Sequence, residues 1–304
     1  MLKTTLEQWR MFKAVVNYGG FSQASQAIHK SQSTIHHAVQ KLEESLGVTL
    51  LEVVGRKAQL TAAGEMMLRR SSYLLEEAEK IEALAGTIAQ GVETHLRIAI
   101  DEAFPRKELY QAIESVSDQY PLLRIELFET ILSGANELVT HGKVDLGISS
   151  IIDHAGFSEE ICQLEFVAVA CPNFPLTQLP TPLSFEDIKS YRQIVVRDSA
   201  QSASIDSGWL GAEQRWTVSH LSSSIDLVCK GFGFAWQPYA SIEQHIKEGR
   251  LQLLNLQHGS KRYLKQYLHF IDADKLGPAA NAFIKALRHQ TQHLPTSEKI
   301  NAIQ

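Results

Sequence analysis

The chain has 304 residues, 44% of them hydrophobic and 21% charged, a size and composition that suit two domains and a connector better than a single core. No apolar run reaches the roughly 18 residues of a membrane span, and the opening MLKTTLEQWRMFKAVV has no signal-peptide core, so a cytoplasmic protein is expected. The net charge of -5 conceals an asymmetry: residues 1–70 hold nine Lys/Arg against five Asp/Glu, a basic head on an acidic body.

Helical periodicity begins at once. Leu6, Trp9, Phe12 and Val16 form an apolar stripe that ends at Gly19-Gly20. Ser22 is placed to cap a short second helix whose Ala24, Ala27 and Ile28 face inward, and Ser31 to cap a third. In that third helix Ile35, Ala38, Val39, Leu42 and Leu46 follow the core-facing spacing. The opposite face gathers Ser33, His36, His37 and Gln40, with Gln32 and Thr34 in the first turn. These are hydrogen-bonding groups with little reason to be bunched for stability, on a helix whose width fits the major groove. Gly47 stops the helix. A short hairpin with Gly55-Arg56-Lys57 at its tip follows, a basic wing able to touch the DNA backbone. Thr61 then caps a long helix running to about Gln90, whose Met67, Leu68, Leu74, Leu75, Ala78, Ile81, Leu84, Ala85 and Ile88 recur at three- and four-residue steps and outlast any local partner, as for helix pairing.

The run FKAVVNYGGFSQASQAIHKSQSTIHHAVQKLEESLGVTLLEVVGRKAQLTAAGE resembles the N-terminal domain of the LysR-type transcriptional regulators, whose pattern is an "AA" helix, SQPALSRQIxxLE and LGVxLFxRxxRxxxLTxAG. Five positions depart from it: Ser33 stands for proline, His36-His37 for Ser-Arg, Leu51 for phenylalanine and Val53 for the first wing arginine. Loss of the groove arginine removes a bidentate partner for guanine, so a changed base preference is expected. The resemblance implies double-stranded DNA as partner. Ser22, Gln23, Ser31, Gln32, Ser33, Thr34, His36, His37 and Gln40 are the candidate contacts on the helices, with Arg56 and Lys57 on the wing. It further implies a homodimer or homotetramer, with RNA polymerase as a partner if the protein activates.

Beyond Gly91 strands alternate with helices. Strands are expected at 96–100, 124–129, 145–149, 166–171, 193–196, 232–236 and 267–271, in a mostly parallel sheet of two α/β lobes with a ligand cleft at the strand ends. The expected organisation is a winged helix-turn-helix over 1–60, a linker and dimerisation helix over 61–91, and a ligand-sensing domain over 92–304. Its first lobe takes about 92–165 and 270–304, its second 166–269. HLRIAIDEAFPRKEL, YPLLRIEL, VTHGKVDLGISS and GFGFAWQP are similar to signposts of the family's effector domain, which resembles periplasmic binding proteins. Carrying positions over gives Asp101, Glu102 and Phe104 after the first strand, Glu129 and Thr130 after the second, and Ser149 and Ser150 after the third. The second lobe adds Arg197, Asp198, Ser202, His220, Ser222, Phe234 and Trp236. Asp101-Glu102 replaces the family's frequent Ser/Thr, so an aromatic, neutral or cationic effector is expected unless Arg197 compensates.

Other chemistries lack their motifs. There is no HExxH, CxxC or G-x-S-x-G, and Gly231-Phe232-Gly233 lacks dinucleotide-loop spacing, so no metal, cofactor or enzymatic activity is expected. Cys162, Cys171 and Cys229 lie far apart; Cys171, near a lobe crossover, leaves redox sensing open beside a structural role. A solute-binding protein would account for 92–304 but leave the first sixty residues without a purpose. An enzyme would need a clustered acid, base or nucleophile.

Overall fold

A computed structural model of the chain describes residues 3–54, 57–89, 91–152, 156–202 and 205–296. It divides into two compact units, residues 1–90 and 91–304.

The first unit opens with α1 (Leu6–Asn17), α2 (Phe21–Ala27) and α3 (Gln32–Leu46), continues through the hairpin β1 (Leu51–Val54) and β2 (Lys57–Leu60), and ends in α4 (Ala62–Ala89). Its core joins Trp9, Phe12 and Val15 of α1 to Ile35, Val39 and Leu42 of α3, closed by Leu50 and Leu75. Local chemistry fixes the ends. Ser31 Oγ accepts from Thr34 N–H (3.1 Å) to cap α3, and Gly47 ends it in the left-handed region at φ 72°. Glu43 Oε1 accepts from Leu50 and Leu51 N–H (2.7 and 3.0 Å), fastening β1 to α3. Thr61 Oγ1 accepts from Gly64 N–H (2.9 Å) and donates to Thr49 O (2.7 Å), tying the start of α4 to the chain before the hairpin. Gly64 is required there, because a Cβ would lie 2.1 Å from Leu50 O. Two expectations are corrected: α2 is capped by Gly20, not Ser22, since the Gly19-Gly20 turn already places Phe21 in the helix and Ser22 in its first turn, and Ala27, at the end of this short helix, is exposed rather than inward-facing.

The second unit runs β3 (His95–Asp101), α5 (Arg106–Gln119), β4 (Arg124–Thr130), α6 (Gly134–Thr140), β5 (Leu146–Ser149) and β6 (Phe157–Ala170). It goes on through α7 (Phe185–Lys189), β7 (Gln193–Val196), β8 (Arg215–Val218), α8 (Leu221–Cys229), β9 (Phe234–Pro238), α9 (Tyr239–Lys247), β10 (Gln252–Leu253), β11 (Lys261–Phe270) and α10 (Pro278–Thr291). The described strands form one sheet in the order β4-β3-β5-β11-β6-β9-β7-β8, with β10 beside β6. Pairing is parallel within β4-β3-β5 and within β9-β7-β8, as expected of α/β lobes. It is not mostly parallel throughout, because β6 and β11 are long strands antiparallel to each other and to their neighbours.

Those two strands link two lobes. In the first, Leu96, Ile98 and Ile100 of β3 pack under α5 and α10, while Ala99 turns to Ala135 and Val139 of α6. In the second, Val167 and Val169 of β6 pack on α8 and α9, and Ala168 and Ala170 face the core containing Ile188 of α7. The first half of β6 (Ile161, Cys162, Leu164) belongs to the first lobe's core. Among the described residues no helix is long and apolar enough to cross a membrane.

Candidate DNA-binding face and interlobe cavity

In the first unit Gln32, Ser33, Thr34, His36, His37 and Gln40 are all exposed on α3, and Ser22 and Gln23 are exposed on α2. The face is ordered by local contacts. Ser31 Oγ lies 2.9 Å from Ser33 Oγ and 2.7 Å from Thr34 Oγ1, so three hydroxyls cluster at the helix start. The His36 ring lies 5.1 Å from that of Phe21, which seats it against α2, and Gln40 Nε2 donates to Glu44 Oε1 (3.1 Å). Among the described residues His37 has no ring neighbour of that kind and is exposed. The N-terminal turn of α3 thus presents free donors and acceptors beside backbone N–H groups, a surface suited to base edges and phosphate. Arg56 lies outside the described residues, and of Lys57 only the backbone, as the first residue of β2, is described.

The second unit holds a cavity of about 150 Å³ where the carboxyl ends of β3, β4 and β5 meet β7, β9, α8 and β11. Of the residues expected there, Asp101, Glu102, Ser150 and Trp236 line it. Asp101 is buried and accepts from Ala103 N–H (2.9 Å) and Leu132 N–H (3.0 Å). Burial pushes its carboxyl up to about 6 against the pull of those two bonds, and the neighbouring Glu102 and Asp198 carboxyls add to the rise. Glu102 is also buried but reaches across the cleft, where its carboxylate accepts from Leu221 N–H at the start of α8 (2.6 Å) and from His220 Nδ1 (2.8 Å). The helix end, a natural anion site, is therefore filled by a side chain of the other lobe.

The remaining expected residues stand elsewhere. Phe104 is in the first lobe's core and Phe234 in the second's. Glu129 pairs with Arg106 (2.5 Å), and Thr130 Oγ1 donates to Ile100 O (3.0 Å). Ser149 is fully buried and bonds Asn136 and His269. Arg197 and Ser222 are exposed and do not line the cavity. Asp198 accepts from Ser133 and from Ala200 and Ile205 N–H, and Ser202 N–H donates to Glu137 Oε1 (2.8 Å). These two, like His220, join the lobes rather than face the cavity.

Sequence reasoning missed Gln193, Trp209, Arg262, Leu264 and Gln266, all on the cavity wall. The signal for the last three was present. Residues 261–266 alternate Lys-Arg-Tyr-Leu-Lys-Gln, and β11 begins at Lys261, six residues before the expected start, so that Arg262, Leu264 and Gln266 share one face. The cysteines are free; burial pushes the Cys162 thiol up to about 12 and raises Cys229, which suits packing rather than thiolate chemistry.

Comparison with known proteins bears on both regions. Residues 6–65 match the family described as bacterial regulatory helix-turn-helix protein, lysR family, and residues 89–292 match the LysR substrate binding domain. The probable HTH-type transcriptional regulator YhaJ of Escherichia coli K12 is 32% identical over 256 residues, covering 83% of this chain and 86% of YhaJ. Among solved structures, full-length LysG of Corynebacterium glutamicum with bound effector Arg aligns with a TM-score of 0.53 at 18% identity, over 96% of this chain and all of LysG. The Vibrio cholerae virulence activator AphB aligns with a TM-score of 0.51 at 20% identity, over 94% of this chain and 99% of AphB.

Proposed function

The chain belongs to the LysR family of transcriptional regulators, with a helix-turn-helix DNA-binding domain and an effector-binding domain, and on that premise we propose how its own residues divide the work. The exposed face of α3 reads operator bases through Gln32, Ser33, His36 and His37. Ser22, Gln23, Ser31 and Thr34 support it at the helix starts, and Gln40, Arg56 and Lys57 flank it. The observation that carries this reading is a solvent-facing row of hydrogen-bonding side chains on a helix whose other face packs into the core.

A small-molecule effector occupies the interlobe cavity. Asp101, Glu102, Ser150 and Trp236 line it, and the ties from Glu102 to α8, from Asp198 to Ser133 and from Glu137 to the 201–202 backbone hold the lobes together. Effector binding changes that closure and thereby the pairing of DNA-binding heads. The heads pair through α4. Leu74 and Ile81 are 47% and 68% exposed, and with Ala78 and Ala85 they fall at the four-three-four spacing of a helix-pairing seam. A homodimer is the minimum that seam requires, and a tetramer extends it. The working location is the cytoplasm, where the operator is, and RNA polymerase is a further partner if the protein activates.

The test is binding-site selection from a randomised duplex library with the full chain and its His36→Ala and Gln32→Ala variants. Each variant is expected to relax preference at one or two base pairs, at about 1–3 kcal/mol per lost contact. Unchanged preferences in both would contradict the assignment of α3.

A further inference from the structure

The cavity, taken as the effector site on the reading above, has two chemically different ends. Arg262 and Gln266 stand on the same face of β11 with Leu264 between them. They lie four positions apart along the strand, about 13 Å between Cα atoms at roughly 3.3 Å per residue.

At one end the Arg262 guanidinium lies 4.0 Å over the Trp236 ring and, among the described residues, has neither an ion-pair partner nor a hydrogen-bond acceptor. At the other, Gln266 is 0% exposed and neither Oε1 nor Nε2 meets a protein partner. Ser150 Oγ is likewise unpartnered, and the β11–β5 register, Tyr267 opposite Ser149, puts it beside Gln266. Buried amides and hydroxyls are normally paired, so an unmatched pair facing a cavity marks a place for a ligand's donors and acceptors.

Between the ends the wall is aromatic, with Trp209 5.9 Å from Trp236 by ring centroids. The acids of the cavity are already engaged: Asp101 with two backbone N–H groups, Glu102 with the start of α8. That leaves Arg262 as the cavity's free positive group.

Size narrows the ligand further. A cavity of about 150 Å³ is that of a single substituted ring.

We propose that the effector is a single-ring planar monoanion whose acidic group meets Arg262, whose ring lies against Trp209 and Trp236, and whose far edge carries an uncharged hydroxyl or amide read by Gln266 and Ser150. The acid is thus bound by a β11 side chain rather than at the start of α8, which Glu102 already occupies.

The experiment is calorimetric titration of the full chain with 4-hydroxybenzoate, benzoate and 4-hydroxybenzamide. The first is expected to bind at least 10-fold tighter than either of the others. Arg262→Met should remove its advantage over the amide, and Gln266→Leu, or Ser150→Ala as a milder second variant, its advantage over benzoate. Leu264→Trp, which fills the cavity between the two polar ends, should abolish binding of all three. Absence of binding by all three probes, or equal binding of acid and amide, would overturn the proposal. If Leu264→Trp blocks binding but Arg262→Met leaves the acid's advantage intact, the proposal falls and the interlobe site stands. If the probes bind Leu264→Trp as well as they bind the parent chain, the interlobe site falls with it.

Discussion

Asp101 makes the stability of the effector domain depend on pH in a way that one substitution isolates. Its carboxyl ordinarily titrates at 3.8 and is pushed up to about 6 in the folded chain, chiefly by burial. The folded state therefore holds the proton where the unfolded chain has released it, and the stability conferred by the protonated form is lost as pH rises from about 4 through 6. The gap corresponds to about 3 kcal/mol in full, of which about 2 falls between pH 4.5 and 7.5. Asp101→Asn removes the titration. Its amide keeps one acceptor for the N–H groups of Ala103 and Leu132 and turns a donor to the other, an offset that does not vary with pH. Urea unfolding of both proteins, followed by tryptophan fluorescence, measures the difference; three of the four tryptophans (Trp209, Trp216, Trp236) lie in residues 91–304. The parent's stability relative to Asp101→Asn should fall by about 2 kcal/mol from pH 4.5 to 7.5. Parallel profiles would refute the desolvated carboxyl, and a difference rising with pH would reverse its sign.

Three further outcomes are expected. Gln266→Leu should raise the stability of the ligand-free chain by about 1–3 kcal/mol, because it replaces a buried amide with two unpartnered atoms by an apolar group of similar size; a loss in the same urea titration would show that the amide is satisfied. Glu102→Gln should cost about 1–2 kcal/mol in urea unfolding by weakening the charge-assisted tie to Leu221 N–H and His220, and an unaltered midpoint would mean that this tie does not hold the lobes. Gly64→Ala should cost about 1–3 kcal/mol and weaken DNA binding, since its Cβ would press on Leu50 O and displace the hairpin from α4; circular dichroism melting and fluorescence anisotropy on labelled duplex measure the two effects.

The two units were unequally legible in the sequence. In the first, local rules determine nearly everything: Ser31 caps, Gly47 stops, and Ile35, Val39 and Leu42 repeat at helical spacing, all within a few residues of one another. Even the misplaced cap at Ser22 is an error of two positions, made because a double glycine can itself begin a helix. In the second unit the order of strands and helices was readable, but the cavity wall was not. It is built by pairings between residues far apart in the chain, such as Arg262 opposite Phe166 and Tyr267 opposite Ser149, and periodicity carries no information about those. Counting residues after each strand found Asp101, Glu102 and Ser150 but also selected Phe104 and Thr130, which turn into the core or bond the sheet. The expectation of a non-anionic effector rested on Asp101-Glu102 facing a ligand unopposed. Both carboxyls are bound within the protein, and the arginine on the cavity wall is Arg262 rather than Arg197.

The most direct test of the account is a mobility-shift titration of the full chain on DNA from its own upstream region, with excess non-specific competitor and at several salt concentrations. The expected shift resists competitor, weakens with salt, and loses its resistance to competitor in His36→Ala. A shift that competitor removes at every salt concentration, or one whose sequence preference His36→Ala leaves intact, would contradict base reading by the exposed face of α3.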